Sequence, residues 1–192
     1  LAGFKEAYET AQVGLDFIKG WVEKNLEEVR RFATYPSNYA GLMDEKGCPN
    51  MYEGTFRVVG PDGRVLEEFD PSRYLDFIGE HVEPWSYLKF PFFKPQGYPE
   101  GCYRVGPLGR VNAADAMSTP KADQALRAYR SLAQDGLEGG TLMYHYTRMI
   151  ELLNCLEQDG AAVMRMSFPQ IRGSLKRAVE RGLFQSAAER QS

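Results

Sequence analysis

The sequence predicts an α+β fold that is mainly helical: long amphipathic helices joined to one β-hairpin. Three observations carry this. Apolar residues from Phe4 to Val29 recur every three or four positions, the 3.6-residue period of a helix with one buried stripe. Residues 54–69 alternate apolar and polar on both sides of Pro61-Asp62-Gly63, where Asp-Gly suits a tight reversal. Thr141 to Gln158, TLMYHYTRMIELLNCLEQ, is apolar around much of its circumference, as expected for a helix buried within a core.

The elements follow in order. The first helix is expected to run unbroken to about Phe32, with Tyr8, Ala11, Leu15, Ile18, Val22 and Leu26 inward and Lys5, Glu6, Glu9, Asp16, Lys24, Glu27 and Arg31 in solvent. Pro36, Asn38, Gly41, Gly47 and Pro49 then break regular structure. After the hairpin, Asp70-Pro71 starts a helix: Asp70 caps it, Pro71 already holds a helical φ, and it should reach about His81 with Tyr74, Phe77 and Ile78 inward. Thr119-Pro120 repeats this chemistry, and Ala125, Leu126, Tyr129 and Leu132 form the apolar face of the helix that follows. Gly139-Gly140 interrupts the chain, Gly160 ends the next helix, and a weaker helix over about 170–190 is broken by Gly173 and Gly182.

With 192 residues, 43% hydrophobic and 26% charged, the chain has the composition of a globular protein and is long enough to bury roughly 70% of its unfolded surface. No apolar run approaches the roughly 20 residues that cross a bilayer, and no basic-then-apolar leader opens the sequence, so no membrane partner and a cytoplasmic location are expected. Cys48, Cys102 and Cys155 are 54 and 53 residues apart, which excludes a CxxC clamp and a disulfide framework; each reads as a small buried apolar residue. His81 and His145 have no ligand partner at helical spacing. Residues 1–160 hold 17 Lys and Arg against 24 Asp and Glu, a net charge of -7, while 161–192 hold 6 against 2, a net +4. The basic segment has no interleaved aromatic platform, so a solvated helix face is expected there and no nucleic-acid partner.

The stretch Trp85–Asn112 is unusual for a connection. Phe90, Phe92, Phe93, Tyr98 and Tyr103 would be costly to leave in water, since each buried ring is worth roughly 1.5–3 kcal/mol, and Pro91, Pro95, Pro99 and Pro107 stiffen the path. Lys89, Lys94, Arg104 and Arg110 need acceptors once it is covered. A rigid aromatic strip with cationic anchors follows from these residues, and an irregular core segment accounts for it better than a small-molecule pocket does.

WSYLKFP (85–91) followed by YRVGPLGRVN (103–112) resembles a paired signature of nickel-iron hydrogenase large subunits, nearest to the cytosolic group that exchanges electrons with NAD(P) or a deazaflavin. VGLDFIKGWVEKNLEEVRRF, EEFDPSRYLDFIGEHVEPWSYLKFP, STPKADQAL and RMIELLNCLE stand in the same order, so the resemblance covers about residues 5–158. It implies the central region of the large-subunit fold over 1–158, followed by a divergent basic helical tail over 159–192 on a truncated subunit. The residues of the motif, Trp85, Lys89, Pro91, Arg104, Gly106, Pro107, Arg110 and Asn112, are implied to be scaffold, with Arg104 and Arg110 in buried ion pairs. In the family, four thiolates from two CxxC motifs hold a nickel-iron centre; this sequence has no CxxC, and Pro169–Leu175 is only faintly like the family's arginine motif. No residue is therefore assigned to catalysis, cofactor binding or metal ligation, no cofactor is expected in this chain, and the chain alone is expected to be inactive. The implied partners are an iron-sulfur small subunit and diaphorase subunits, with self-association through exposed aromatic surface. The alternative is a metal-free structural or interaction protein on the same scaffold.

Overall fold

A computed structural model gives the structure of residues 2–133 and 136–165. The chain divides into two compact units, Leu1–Leu156 and Glu157–Ser192; of the second, residues 157–165 are described and are helical. The proposed weak helix over 170–190 lies outside the described residues, as does most of the expected tail.

The first unit is α+β. Helix α1 (Ala2–Lys24) and helix α2 (Leu26–Arg31) replace the single helix expected to Phe32. The break falls at Asn25, whose side-chain amide donates to the Trp21 carbonyl at 2.7 Å. That side chain competes for the carbonyls of the last turn, as Asn does near helix ends. The inward stripe is as predicted, with Leu15, Val22 and Val29 buried, but Val13, Phe17 and Trp21 stand exposed on the outer face among the charges.

The segment after α2, expected to be irregular, contains the central strand of the molecule. Strand β1 (Asn38–Met43) pairs antiparallel with β2 (Pro49–Asn50) and with β3 (Thr55–Val59). Strand β4 (Val65–Phe69) completes the predicted hairpin with β3, in register from Phe56 opposite Phe69 to Val58 opposite Glu67. Gly63 takes φ 82° in its turn, a conformation that disfavours a side chain.

The helix expected up to His81 is shorter. Asp70 caps as predicted, accepting from the Ser72 amide at 2.8 Å, and a 3₁₀ turn (Pro71–Arg73) leads into the single turn α3 (Tyr74–Phe77). Tyr74 is exposed, whereas Phe77 and Ile78 pack inward. Strand β5 (Ile78–Val82) then pairs with β6 (Lys89–Phe93) as a second, two-stranded sheet. The Trp85–Asn112 strip is thus not an irregular connection: it contributes β6, a 3₁₀ turn (Lys94–Gln96), strand β7 (Tyr103–Arg104) parallel to β1, and helix α4 (Gly106–Ala113).

Helix α5 (Pro120–Arg130) starts where predicted, although the Thr119 hydroxyl makes no capping bond and donates instead to Asn154 Oδ1 at 3.0 Å. Helix α6 (Met143–Arg165) continues through Gly160 rather than ending there. The main core lies between these helices and β1: Leu15, Val22, Val29, Tyr39, Leu108, Val111, Leu126, Tyr129, Met143, Tyr146, Ile150 and Leu153 form one buried cluster.

A candidate functional site of buried cations

The candidate site is the β7–α4 segment, where the sequence placed its motif. Val105 is extended, Gly106 turns the chain at φ 72°, and Pro107 occupies the first turn of α4, where its missing N–H costs nothing. Leu108 and Val111 then enter the core, and Gly109 lets the helix lie on β1: a Cβ there would meet the Ala40 carbonyl oxygen at 2.8 Å.

Arg110 and Glu151 of α6 form a two-point ion pair, with Nε 2.6 Å from Oε1 and Nη2 2.8 Å from Oε2. The Glu151 hydrogen bonds raise the Arg110 pKa above its ordinary value against the opposing effect of burial. Two parallel bonds of this kind fix orientation as well as distance. Asn112, also buried, donates from Nδ2 to the Glu138 carbonyl at 2.8 Å, and the Tyr129 hydroxyl stands 3.2 Å from its Oδ1 and 3.0 Å from the same carbonyl. That hydroxyl has one hydrogen and serves one acceptor at a time. Burial pushes the Tyr129 pKa well up and also raises that of Tyr39.

Arg104 does not form the expected ion pair. Its Nε donates to Ser37 Oγ at 3.2 Å, Nη1 to Thr141 Oγ1 at 3.1 Å and Nη2 to the Ala33 carbonyl at 3.3 Å, and its guanidinium carbon lies 4.4 Å from the Tyr35 ring centroid. The carboxylate nearest in role, Glu138, is instead taken by Arg30, with Nη2 2.7 Å from Oε1.

The other motif residues separate from these. Trp85 is 76% exposed and tilts against Phe90 with centroids 5.8 Å apart; Pro91 sits in β6 opposite Glu80, and Lys89 pairs with Glu80 at 2.7 Å on the surface. Tyr87 and Leu88 are exposed too, so the strip is half core and half surface arm. Nearby, His81 stacks on Tyr98 at 3.9 Å with its Nε2 2.9 Å from Glu83.

The sequence reading missed Arg30, Arg57, Asp115, Glu138 and Glu151. Arg57 bridges Glu68 at 2.6 Å and Asp115 at 2.9 Å and donates to the Ala113 carbonyl, while Arg130 donates to the carbonyls of Ala114 and Asp115, so two guanidiniums close the C-terminal end of α4. A signal existed for Glu151 and Asn154: polar residues three apart inside an apolar helix are expected to meet buried partners.

A nickel-iron centre needs several soft thiolate donors in one place. Cys48 is buried, Cys102 half-buried and Cys155 exposed, contrary to the expectation that all three are buried. Burial pushes the Cys48 and Cys102 thiols up, toward the protonated form. Among the described residues no three His, Cys, Asp or Glu side chains gather as a metal-binding group. These residues do not fit such a centre, and no chemical step is derived through one. What the arrangement does is hold charge in fixed positions.

No family model matches the chain. It is 40% identical over 158 residues to a vhu subunit of the F420-non-reducing hydrogenase of Methanococcus voltae, covering 82% of this chain and 37% of that protein. It is 34% identical over 157 residues to the NAD-reducing hydrogenase HoxS subunit beta of Cupriavidus necator, covering 82% and 32%. A crystal structure of an NAD+-reducing [NiFe]-hydrogenase in the H2-reduced state superimposes with a TM-score of 0.74 at 32% identity, covering 82% of this chain and 35% of that one. The chain is similar to part of a hydrogenase subunit. It spans about a third of the length of the curated relatives it matches. These relatives are named as a vhu subunit and as HoxS subunit beta, not as nickel-iron large subunits, and this corrects the reading of the chain as a truncated large subunit. The architectural expectation holds at the coarser level: the fold is α+β, and the likeness is to a hydrogenase structure.

Proposed function

We propose that this chain is a bracing and assembly segment of a multisubunit hydrogenase, occupying the place of the matched third of a vhu or HoxS beta subunit. The observation that supports it most is the Arg110–Glu151 pair: the most recognisable part of the motif, β7–α4, is tied by two charged hydrogen bonds to α6. A segment fixed in this way keeps neighbouring chains in register without itself carrying electrons. Its partners are the other subunits of such a complex, an iron-sulfur protein and a diaphorase among them, and the reaction it serves is hydrogen oxidation coupled to an acceptor such as NAD. No cofactor is held by this segment's own side chains, and Trp85, Lys89, Pro91, Arg104, Gly106, Pro107, Arg110 and Asn112 serve as scaffold and contact residues. The free thiols of Cys48 and Cys102 fit a reducing compartment, the cytoplasm. No helix of the described residues is long and apolar enough to cross a membrane.

The test is a segment exchange. The matched stretch of the Cupriavidus necator HoxS subunit beta is replaced by residues 1–158 of this chain, and the tagged chimera is purified with the other subunits co-expressed. Co-purification in fixed stoichiometry is expected; a folded chimera recovered alone would refute the proposal.

A further inference from the structure

Three features of the first unit converge on one place that the scaffold role leaves unexplained. Arg104 is 6% exposed, and its hydrogen bonds all go to neutral oxygens; among the described residues no carboxylate pairs with it. Of the two arginines among the described residues that are more than nine-tenths buried, Arg57 is matched by Glu68 and Asp115, whereas Arg104 has no carboxylate partner. A buried cation is ordinarily compensated by an anion. Ala33, whose carbonyl accepts from Arg104 and from Thr141 Oγ1 at 2.7 Å, has φ 46°, and among the described residues it is the only non-glycine with positive φ. Such a conformation persists where its surroundings hold it, often at a binding site. Finally, Phe32, Tyr35 and Val105, each next to or in contact with these residues, leave more than half of their surface in water.

We infer that Arg104, beneath Tyr35 and with exposed Val105 next to it in the chain, is the docking point for an acidic side chain, flanked by apolar residues, on another polypeptide. The chemistry is complementary in both respects. A guanidinium with its charge unmatched takes a carboxylate, and the surrounding rings exclude water from the pair, the arrangement found at the energetic centre of protein interfaces. The Tyr35 ring already lies over the guanidinium, so the approaching carboxylate would enter at its edge rather than through the packed side held by Ser37 and Thr141. The inference rests on the proposal that the chain works within an assembly, but it is testable on the chain alone.

The probes are the blocked peptide acetyl-Leu-Glu-Leu-amide, its Gln counterpart and sodium acetate, titrated at constant ionic strength into the 15N-labelled full chain and followed by NMR. The Glu peptide should move the amide signals of Thr34, Tyr35 and Val105 and bind at least about tenfold tighter than the Gln peptide or acetate, a factor that corresponds to one charged contact. In Arg104→Met the preference for Glu over Gln should vanish. Equal binding of the Glu and Gln peptides, shifts confined to other parts of the chain, or acetate binding as tightly as the Glu peptide would each overturn the inference. The wild-type comparison decides it even if the variant fails to fold. Failure here with a successful segment exchange would remove the docking point and leave the assembly role standing.

Discussion

Replacing Arg110 by Met removes one half of the β7–α4 to α6 tie and leaves Glu151, 8% exposed, as a buried carboxylate without its guanidinium. Breaking a buried pair from one side costs about 3–5 kcal/mol, and because the Arg110 side chain is about a fifth exposed, the low end, about 3 kcal/mol, is expected. For a protein of this size each kcal/mol lowers Tm by about 2–4 °C, so the variant should melt about 6–12 °C below wild type. The double variant Arg110→Met/Glu151→Leu removes both charges and offers apolar replacements of similar volume. It should return to within about 1 kcal/mol of wild type, regaining about 2 kcal/mol of what the single variant loses. Urea denaturation followed by circular dichroism at 222 nm measures all four proteins. A single variant that loses less than about 1 kcal/mol, or a double variant no better than the single, would show that the pair does not brace the fold.

Other consequences are equally accessible to measurement. Gly109→Ala should destabilise the fold by about 3 kcal/mol in the same assay, because the added methyl meets backbone of β1 and β7 rather than a movable side chain; a loss under about 1 kcal/mol would contradict the close approach of α4. Burial pushes the Tyr146 pKa up to about 12. The unfolded chain, whose tyrosines ionise near 10, therefore loses its proton first, so the stabilisation is whole below pH 10 and is lost as pH rises through 12. Over that interval Tyr146 should account for about 2–3 kcal/mol of falling stability, and Tyr146→Phe should flatten the measured slope of stability against pH. Alkylation with iodoacetamide at pH 8, read by mass spectrometry, should modify exposed Cys155 first and buried Cys48 only after unfolding; equal rates at the two would contradict their placement.

The sequence showed helices and turns well and strands poorly, for reasons that individual residues make plain. The α1 stripe and the Asp62-Gly63 reversal are local signals, a period and a positive φ; the hairpin formed where expected, and the helix did so up to its break at Asn25. Strand β1 was invisible because nearly all of Asn38–Met43 is buried on both faces, which removes the alternation that marks a half-buried strand. The helix expected to His81 fails for the opposite reason: Ile78–Val82 is committed to pairing with Lys89–Phe93, a tertiary choice no window of local sequence contains. At the site, the need of Arg110 for a buried anion was legible, but that Glu151 supplies it was not, since the two are 41 residues apart. Arg104 was read as its twin, and the distinction between them depends entirely on which elements close around each side chain.

The most direct test of the central claim is native mass spectrometry of the chimeric Cupriavidus necator hydrogenase carrying residues 1–158 of this chain in its HoxS subunit beta. A complex with one chimeric chain and its normal partners is predicted, falling apart when Arg110→Met is introduced. A chimera that folds, shown by its helical circular dichroism, yet appears only as a free subunit would contradict the assignment of these residues to hydrogenase assembly.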